Sequence, residues 1–396
     1  MPMDIQRLLQ AVNTGSVIRY STRLAPLSAD GIVCPPTYAA KKTGEPPYIA
    51  FRKAFVDGAQ RDIVVLDSPQ SQSNRVEQAL LAAHRAGRLH YPDIRVEFPA
   101  DLREPSISVL QLSHRIYDAV LRTANLRSEP FFSSAIGQSI RDARPNNATA
   151  LLQHAPITLV LGGWDSNGGA GPQAAKLQRL MTSEIIGLDA QPASLSATKF
   201  DVLDIRSQAA ELIPSEDPVR RFEIKRPKDK GKSKKPSELG FGSVPSTDVP
   251  RAAVISAAIQ SSVLSCSGLR SLSFPEVDGR VHAERDQAGH ALLAALALYG
   301  LFAQNEAGYL LRSRCELIPE DDGKLELIGR TLKDVTDTHL SAGGSLDLLK
   351  QAIDYAASFD LAFRAEDLVL AADERLVELV KRSRSAAAIG DNEDEA

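Results

Sequence analysis

The stretch Ile63–Leu81, IVVLDSPQSQSNRVEQALL, constrains this chain more than any other. Four apolar residues, Ile63 to Leu66, have the continuity of a buried strand. Asp67, Ser68, Gln70, Ser71, Gln72, Ser73, Asn74 and Arg75 follow, and then Val76, Ala79, Leu80 and Ala83 recur at helical spacing. A buried strand must therefore give way to an amphipathic helix, expected from Asn74 to near Gly87. Ser73 or Asn74 would cap that helix, with Glu77 placed to complete a capping box. Capping needs one or two such residues, and this segment supplies eight. A helix start so rich in donors can also hold an anion, because its first turn offers free N–H groups and the positive end of the helix dipole. Local physics leaves both readings open.

A length of 396 residues fits two or three domains of about 100–200 residues, or one elaborated domain. Three cysteines, Cys34, Cys266 and Cys315, without paired spacing, argue for a reducing compartment and against a disulfide framework or a zinc site. The N-terminal MPMDIQRLLQAV lacks the apolar run of a signal peptide. The longest apolar run, Ala291 to Ala303, is too short to span a bilayer. A cytoplasmic protein without a membrane partner is expected.

Net charge is −4, and the tail DNEDEA holds four of the acids. Between Arg220 and Lys235 stand nine basic residues and two acids, a local +7. Such a run reads either as a solvated loop or as an electrostatic footprint for phosphate.

Along the chain the pattern predicts a helix over 1–14 and a strand over Val17–Leu27. The Pro-rich segment Ala29–Pro47 reads as loop. Two strands lie around Asp57-Gly58, and one over Ile94–Phe98. Helices are expected over Ser106–Ala124 and Phe131–Ala143. Further strands are expected at Ile157–Leu161, Met181–Leu188, Val254–Leu264, Leu269–Phe274 and Tyr309–Ile318, with Leu325–Ile328 beside the last. Glu284–Gln304 reads as a strong apolar helix, and Ser345–Ser358 and Glu366–Arg384 as two more. Residues 206–250 are expected to be partly disordered. The late strand–helix–strand unit has the size of half a ferredoxin-like βαββαβ domain. The simplest fold class is α+β, with a long insertion between two halves.

Motifs for chemistry are sparse. The seven histidines show no metal-ligand spacing. The loop GGWDSNGGAG, 162–171, lacks the GK[ST] ending of a phosphate-binding Walker loop, and no GxGxxG or GxSxG is present. Asp165 in a glycine loop is ordinarily a turn former. Donor-rich segments are commoner: the 68–75 cluster, the Gly-rich loop with Trp164, Lys176 and Arg179, the 220–235 run, and Arg312 with Arg314. The last two, spaced by two on an expected strand, would share one face, where they could pair with carboxylates or bind phosphate. Aromatic residues are 5% of the chain, so any nucleic acid would be held mainly by its backbone.

Five segments in order resemble one known family. SPQSQSNRVE at 68–77 is similar to its S-x-Q-S-x-x-N-R-x-E signature. GGWDSNGG followed by AKLQRLMTSEIIG resembles its Gly-rich loop and the segment after it, matched at Lys176, Arg179, Ser183 and Glu184. KKPSELGFGSVP, IQSSVLSCSGLRSLSFP and LLRSRCELIP resemble three later stretches. Ser243 departs from an expected Asn, and Leu177 and Gln178 from Phe-Pro. The family is the backbone subunit, of the RAMP superfamily and Csb type, of CRISPR type I-U (I-G) Cascade interference complexes.

The resemblance implies an RRM-like (ferredoxin-like) palm with large inserted finger and thumb elements and C-terminal helices. Residues 15–200 would form the first half of the palm with a helical insertion. Residues 201–252 would form a basic, partly disordered thumb, 253–385 the second half and the C-terminal helices, and 386–396 a disordered acidic tail. Copies would stack head to tail along a CRISPR RNA as a helical filament, leaving bases free to pair with target DNA. Partners would be a Cas5/Cas6-type fusion subunit, a large subunit and a helicase–nuclease. The expected role is non-enzymatic and needs no cofactor or metal. RNA contacts would come from Ser68, Gln70, Ser71, Asn74, Arg75, Trp164, Lys176, Arg179, Lys225, Arg226, Lys232, Lys234, Lys235, Arg312 and Arg314. The competing readings are a RAMP-type ribonuclease, using His90, His114 or Asp165, and a scaffold that binds only protein.

Overall fold

Strict alternation along Val17–Pro26 buries Ile18, Tyr20, Thr22 and Leu24 and leaves Arg19, Ser21 and Arg23 on the other face. This strand is the centre of the main sheet in the computed structural model. The structure describes the chain except residues 41, 43–46, 103–105, 166–175, 196–199, 207, 216–221, 230–232, 244–250 and 390–396. Two compact units are formed: residues 1–192 with 252–373, and residues 193–251 with 374–396.

The first unit opens with α1 (Ile5–Thr14), capped by Asp4, and β1 (Val17–Pro26). After a loop, β2 (Phe51–Val56) and β3 (Ala59–Asp67) form a hairpin. Its turn, Asp57-Gly58, takes positive φ at both positions, as a two-residue hairpin requires. Then come α2 (Pro69–Arg85), β4 (Met181–Leu188), β5 (Ala257–Ser265) and α3 (Ala283–Glu306). Strands β6 (Tyr309–Arg312), β7 (Cys315–Pro319), β8 (Lys324–Ile328) and β9 (Val335–Thr338) precede α4 (Ala342–Ala357).

Strand order is β6-β7-β1-β5-β4-β3-β2, with β8 also paired to β1 and β9 to β8. All these pairs are antiparallel. The register Val17↔Ser265 and Met181↔Leu264 puts the buried sets of β1, β4 and β5 on one face, toward the helices. Helix α3 is apolar around its whole circumference and lies inside the core. It meets α2 closely at Gly300, where a Cβ would lie 2.7 Å from Val76 Cγ1. A smaller sheet pairs Ile94–Glu97 in parallel with Leu368–Ala372, flanked by Ser106–Ser108 and Ala124–Leu126.

Several expectations change. Helix α2 begins at Pro69, not Asn74, so the polar cluster lies inside its first turns. Ile157–Leu161 belongs to a buried helix, Pro156–Leu161, with proline at its first position. A short apolar run does not distinguish buried helix from buried strand. Leu269–Phe274 is not a strand: a helical turn, Cys266–Leu269, is followed by unpaired chain. Ser106–Ala124 breaks into a strand, two 3₁₀ turns and a four-residue helix, because Ser108 and Asp118 cap new starts and Arg115 turns the chain at φ +52°. Tyr309–Ile318 is a hairpin rather than one strand, and β8 pairs with β1 instead of β7. Within Glu366–Arg384 the chain is first a strand, Leu368–Ala372, and only then a helix, Glu374–Ile389. The rest of the expected acidic tail, 390–396, lies outside the described residues.

In the second unit, short strands Leu212–Pro214 and Phe222–Ile224 pair, and a 3₁₀ turn covers Pro236–Leu239.

Candidate functional site

Asp67 ends β3 and is fully buried. Ser68 follows as the helix cap, its hydroxyl accepting from the Ser71 amide at 3.3 Å. The carboxylate of Asp67 accepts from Ser71 Oγ (2.7 Å), Gln72 Nε2 (2.6 Å) and Arg75 Nε (2.9 Å). Arg75 also donates through one terminal nitrogen to the Leu311 carbonyl at 2.9 Å. Arg312, at the end of β6, brings its guanidinium to 3.6 Å from Asp67 and donates to the Cys34 carbonyl. Two arginines 237 positions apart in sequence therefore share one buried carboxylate, leaving a local charge of +1. Each keeps about a quarter of its side chain in solvent (27%), so N–H groups remain for an outside anion.

Arg312 and Arg314 do not share a strand face. Arg314 occupies the β6–β7 turn at φ +56°, exposed, with its carbonyl accepting from the Cys34 amide. Ser71 serves Asp67, and Ser68 serves the cap. Gln72 points inward, and its side-chain oxygen takes Ser183 Oγ, Gln260 Nε2 and Gln304 Nε2 at 2.8–3.0 Å. This ties the start of α2 to β4, β5 and α3.

Glu77 completes no capping box. It is buried in a bidentate pair with Arg115, at 2.6 and 3.1 Å. Burial pushes its carboxyl up, while Arg115 pulls it down. Arg115 also donates to the Gly162 carbonyl, and Arg179 to that of Leu161. Gly162 sits at φ +83°, where a Cβ would crowd the Arg179 amide at 3.0 Å. Burial and the neighbouring Arg115 lower the pKa of Arg179, with Glu77 opposing. The Gly-rich loop thus leaves the fold latched to α2. At its base Trp164 faces Lys176 across a two-stranded ribbon, with the Trp164 ring largely exposed (63%). Asp165 is buried against Arg122 at 2.5 Å. Residues 166–171 of the loop lie outside the described residues.

At about 100° per residue, Gln70, Asn74 and Gln78 form one stripe on α2, and all three are exposed. Arg75 with Asp67 and Arg312 borders it on one side. Glu77 with Arg115 and Arg179 borders it on the other. Neutral amides run between two arginine pairs: Arg75 and Arg312 flank Asp67, and Arg115 holds Glu77 while Arg179 adds its charge nearby.

Beside Arg312 stand two tyrosines that composition did not single out. Strand Thr37–Tyr38, inside the segment expected to be loop, pairs with Tyr48–Ile49 just beyond it. The Tyr38 and Tyr48 rings lie 5.7 Å apart. Glu184, also nearby, is held by Arg52 at 2.9–3.1 Å. Asp67, Glu77, Arg115, Tyr38 and Tyr48 were not among the residues assigned to the site from sequence. The polar excess at 67–75 signalled the first, and nothing local signalled Arg115.

In the second unit, Lys225 pairs with Glu211 at 2.8 Å, and the Lys234 backbone bridges to Leu212. Arg226 and Lys235 are exposed, with their amides bound to Asp229 and Glu238. Lys232 lies outside the described residues. Of the histidines considered for catalysis, His90 Nε2 meets the Arg364 carbonyl at 2.7 Å, and His114 is exposed. Among the described residues no group of three or more His, Cys, Asp or Glu is placed to hold a metal. No described helix is long and apolar enough to cross a membrane.

A search of curated proteins finds no match. Residues 18–192, which include β1 to β4 and the whole of α2, match the family model for CRISPR-associated protein GSU0053 (Cas_GSU0053), a Cas family of type I-U, Csb-like systems, so the Cas-family resemblance read from the sequence is shown.

Proposed function

We propose that this chain is a non-enzymatic, CRISPR RNA-binding backbone subunit of a type I-U (I-G) interference complex. The observation that carries the reading is the exposed amide stripe Gln70, Asn74 and Gln78 between the Arg75–Arg312 and Arg115–Arg179 pairs. Guanidinium groups held at fixed angles suit phosphate oxygens. Amides between them add hydrogen bonds without reading a base. The order β7/β8-β1-β5-β4 has the 4-1-3-2 sequence expected of an RRM-like palm, and it supports that reading. In it α2 and α3 would be the two palm helices, and the β2–β3 hairpin an added edge.

Copies would stack head to tail along the RNA and leave its bases to pair with target DNA. A Cas5/Cas6-type fusion subunit, a large subunit and a helicase–nuclease would complete the assembly in the cytoplasm. Lys225, Arg226, Lys232, Lys234 and Lys235 would form a basic arm beside the nucleic acid, and Trp164 and Lys176 a second contact at the Gly-rich loop.

Purification from the native host tests the proposal. RNA of defined length, eluting with an oligomer, is the expected result. A nucleic-acid-free monomer that also fails to bind added single-stranded RNA would overturn it. Cleavage of labelled RNA at regular intervals in the presence of Mg²⁺ would replace it with a ribonuclease.

A further inference from the structure

We infer that Gln260, a fully buried residue, is the positioning residue that sets Arg75 and Arg312 at the spacing a phosphate needs. It stands on the inward face of β5, where it can touch no RNA. The two ends of its amide hold different elements. Its Nε2 donates to Gln72 Oε1 and to Asn305 Oδ1, each at 3.0 Å. Its Oε1 accepts from the Tyr309 hydroxyl at 2.8 Å. The first end reaches α2: Gln72 donates in turn to Asp67 at 2.6 Å, on the same oxygen that Arg75 Nε holds. The second end reaches β6. Tyr309 opens that strand, the Leu311 carbonyl on it accepts from Arg75, and Arg312 ends it. The two arginines thus sit on elements distant in sequence, and one buried side chain is bound to both.

Stability alone does not call for these amides. Replacing both partners of a buried hydrogen bond by apolar groups of the same shape is often neutral or stabilising. Apolar contacts are non-directional, so a purely apolar core loses uniqueness of packing before it loses stability. Hydrogen bonds at both ends of one planar amide fix distance and direction together. A site built from two guanidinium groups needs that precision, since its members must be held to within about 0.5 Å. The bland role for Gln260 is to satisfy Tyr309 and Gln72 and to steady the core without bearing on the arginines.

The inference rests on the RNA-binding reading, and the experiment separates the two. Single-stranded RNA affinity is measured for the full chain, for Gln260→Met, for Arg75→Gln/Arg312→Gln and for the triple variant, at a temperature where circular dichroism shows each to be folded. Gln260→Met keeps a similar length but neither donates nor accepts as an amide does. It should weaken RNA binding about tenfold in the parent. It should also lower the slope of log affinity against log salt by about 0.7, the share of one phosphate contact. In the arginine double variant the same substitution should change affinity by less than about twofold, because nothing is left to position. Tyr309→Phe removes only the Tyr309 arm and should weaken binding about threefold, with the same dependence on the arginines. It carries the test if Gln260→Met does not fold. Parent-like RNA affinity in the folded variant, or an equal loss with and without the two arginines, overturns the positioning role while leaving the phosphate-binding reading in place. If the arginine double variant itself binds RNA as the parent does, the phosphate-binding reading falls, and the positioning role falls with it.

Discussion

Asp67→Asn should destabilise the fold out of proportion to its size. The change removes one buried charge and keeps the side-chain shape. Two donors, Gln72 Nε2 and Arg75 Nε, converge on one carboxylate oxygen, and Ser71 Oγ binds the other with Arg312 at 3.6 Å. An asparagine can satisfy the first oxygen's partners, but its NH₂ then faces Arg312. Removing one partner of a fully buried pair costs about 3–5 kcal/mol. Both arginines keep some solvent contact, which lowers the expected loss to about 2–3 kcal/mol. For the unit formed by residues 1–192 with 252–373 that is a fall in melting temperature of roughly 3–5 °C. Thermal unfolding followed by far-UV circular dichroism measures it. A double-mutant cycle with Arg75→Gln should show strong non-additivity, because the second change removes the charge that the first orphans. A melting temperature within 1 °C of the parent, or strictly additive losses, would refute the idea that Asp67 is the common counter-charge.

Two further predictions concern the scaffold around the site. Burial, with Arg364 nearby, lowers the His154 pKa to about 4, so the folded protein holds this ring neutral while the unfolded chain protonates it near its ordinary value. Stability from this residue is full above about pH 6.5 and is lost as pH falls toward 4, by about 2–3 kcal/mol. The parent's melting temperature should drop more steeply over that interval than that of His154→Gln; parallel profiles would contradict the assignment. Gly300→Ala would push a methyl to 2.7 Å from Val76 Cγ1 and overpack the α2–α3 contact. Its cost should be about 1–2 kcal/mol after the gain in helix propensity, with Val76→Ala restoring much of the loss. An equally damaging double variant would show that the contact is not the cause.

What could be read in advance was what short-range patterning specifies. Alternation in β1, the Asp57-Gly58 turn and the long apolar helix α3 were all legible, since each depends on neighbours in sequence. The start of α2 was not, because its polar residues are satisfied by Asp67 and by Gln260 and Gln304 from distant segments. The Ile157–Leu161 helix is not legible because a short buried run satisfies either periodicity. The turn that separates Arg312 from Arg314 is not legible either, because Ser313-Arg314 carries neither Gly nor Asn to announce it. The polar excess after Leu66 did mark the site, but not how it is built. Of its residues, Ser68, Ser71 and Gln72 serve the fold, while Gln70 and Asn74 are left outward.

The central claim is that Arg75 and Arg312 hold RNA phosphates, and salt dependence tests it most directly. Single-stranded RNA affinity is measured from low to moderate salt for the parent and for the Arg75→Gln/Arg312→Gln double variant, at a temperature where both are folded. Each phosphate contact on a single strand contributes about 0.7 to the slope of log affinity against log salt. The double variant should bind more weakly on every RNA sequence and lose about 1.4 from that slope. The same slope in parent and variant would place the RNA elsewhere on the chain.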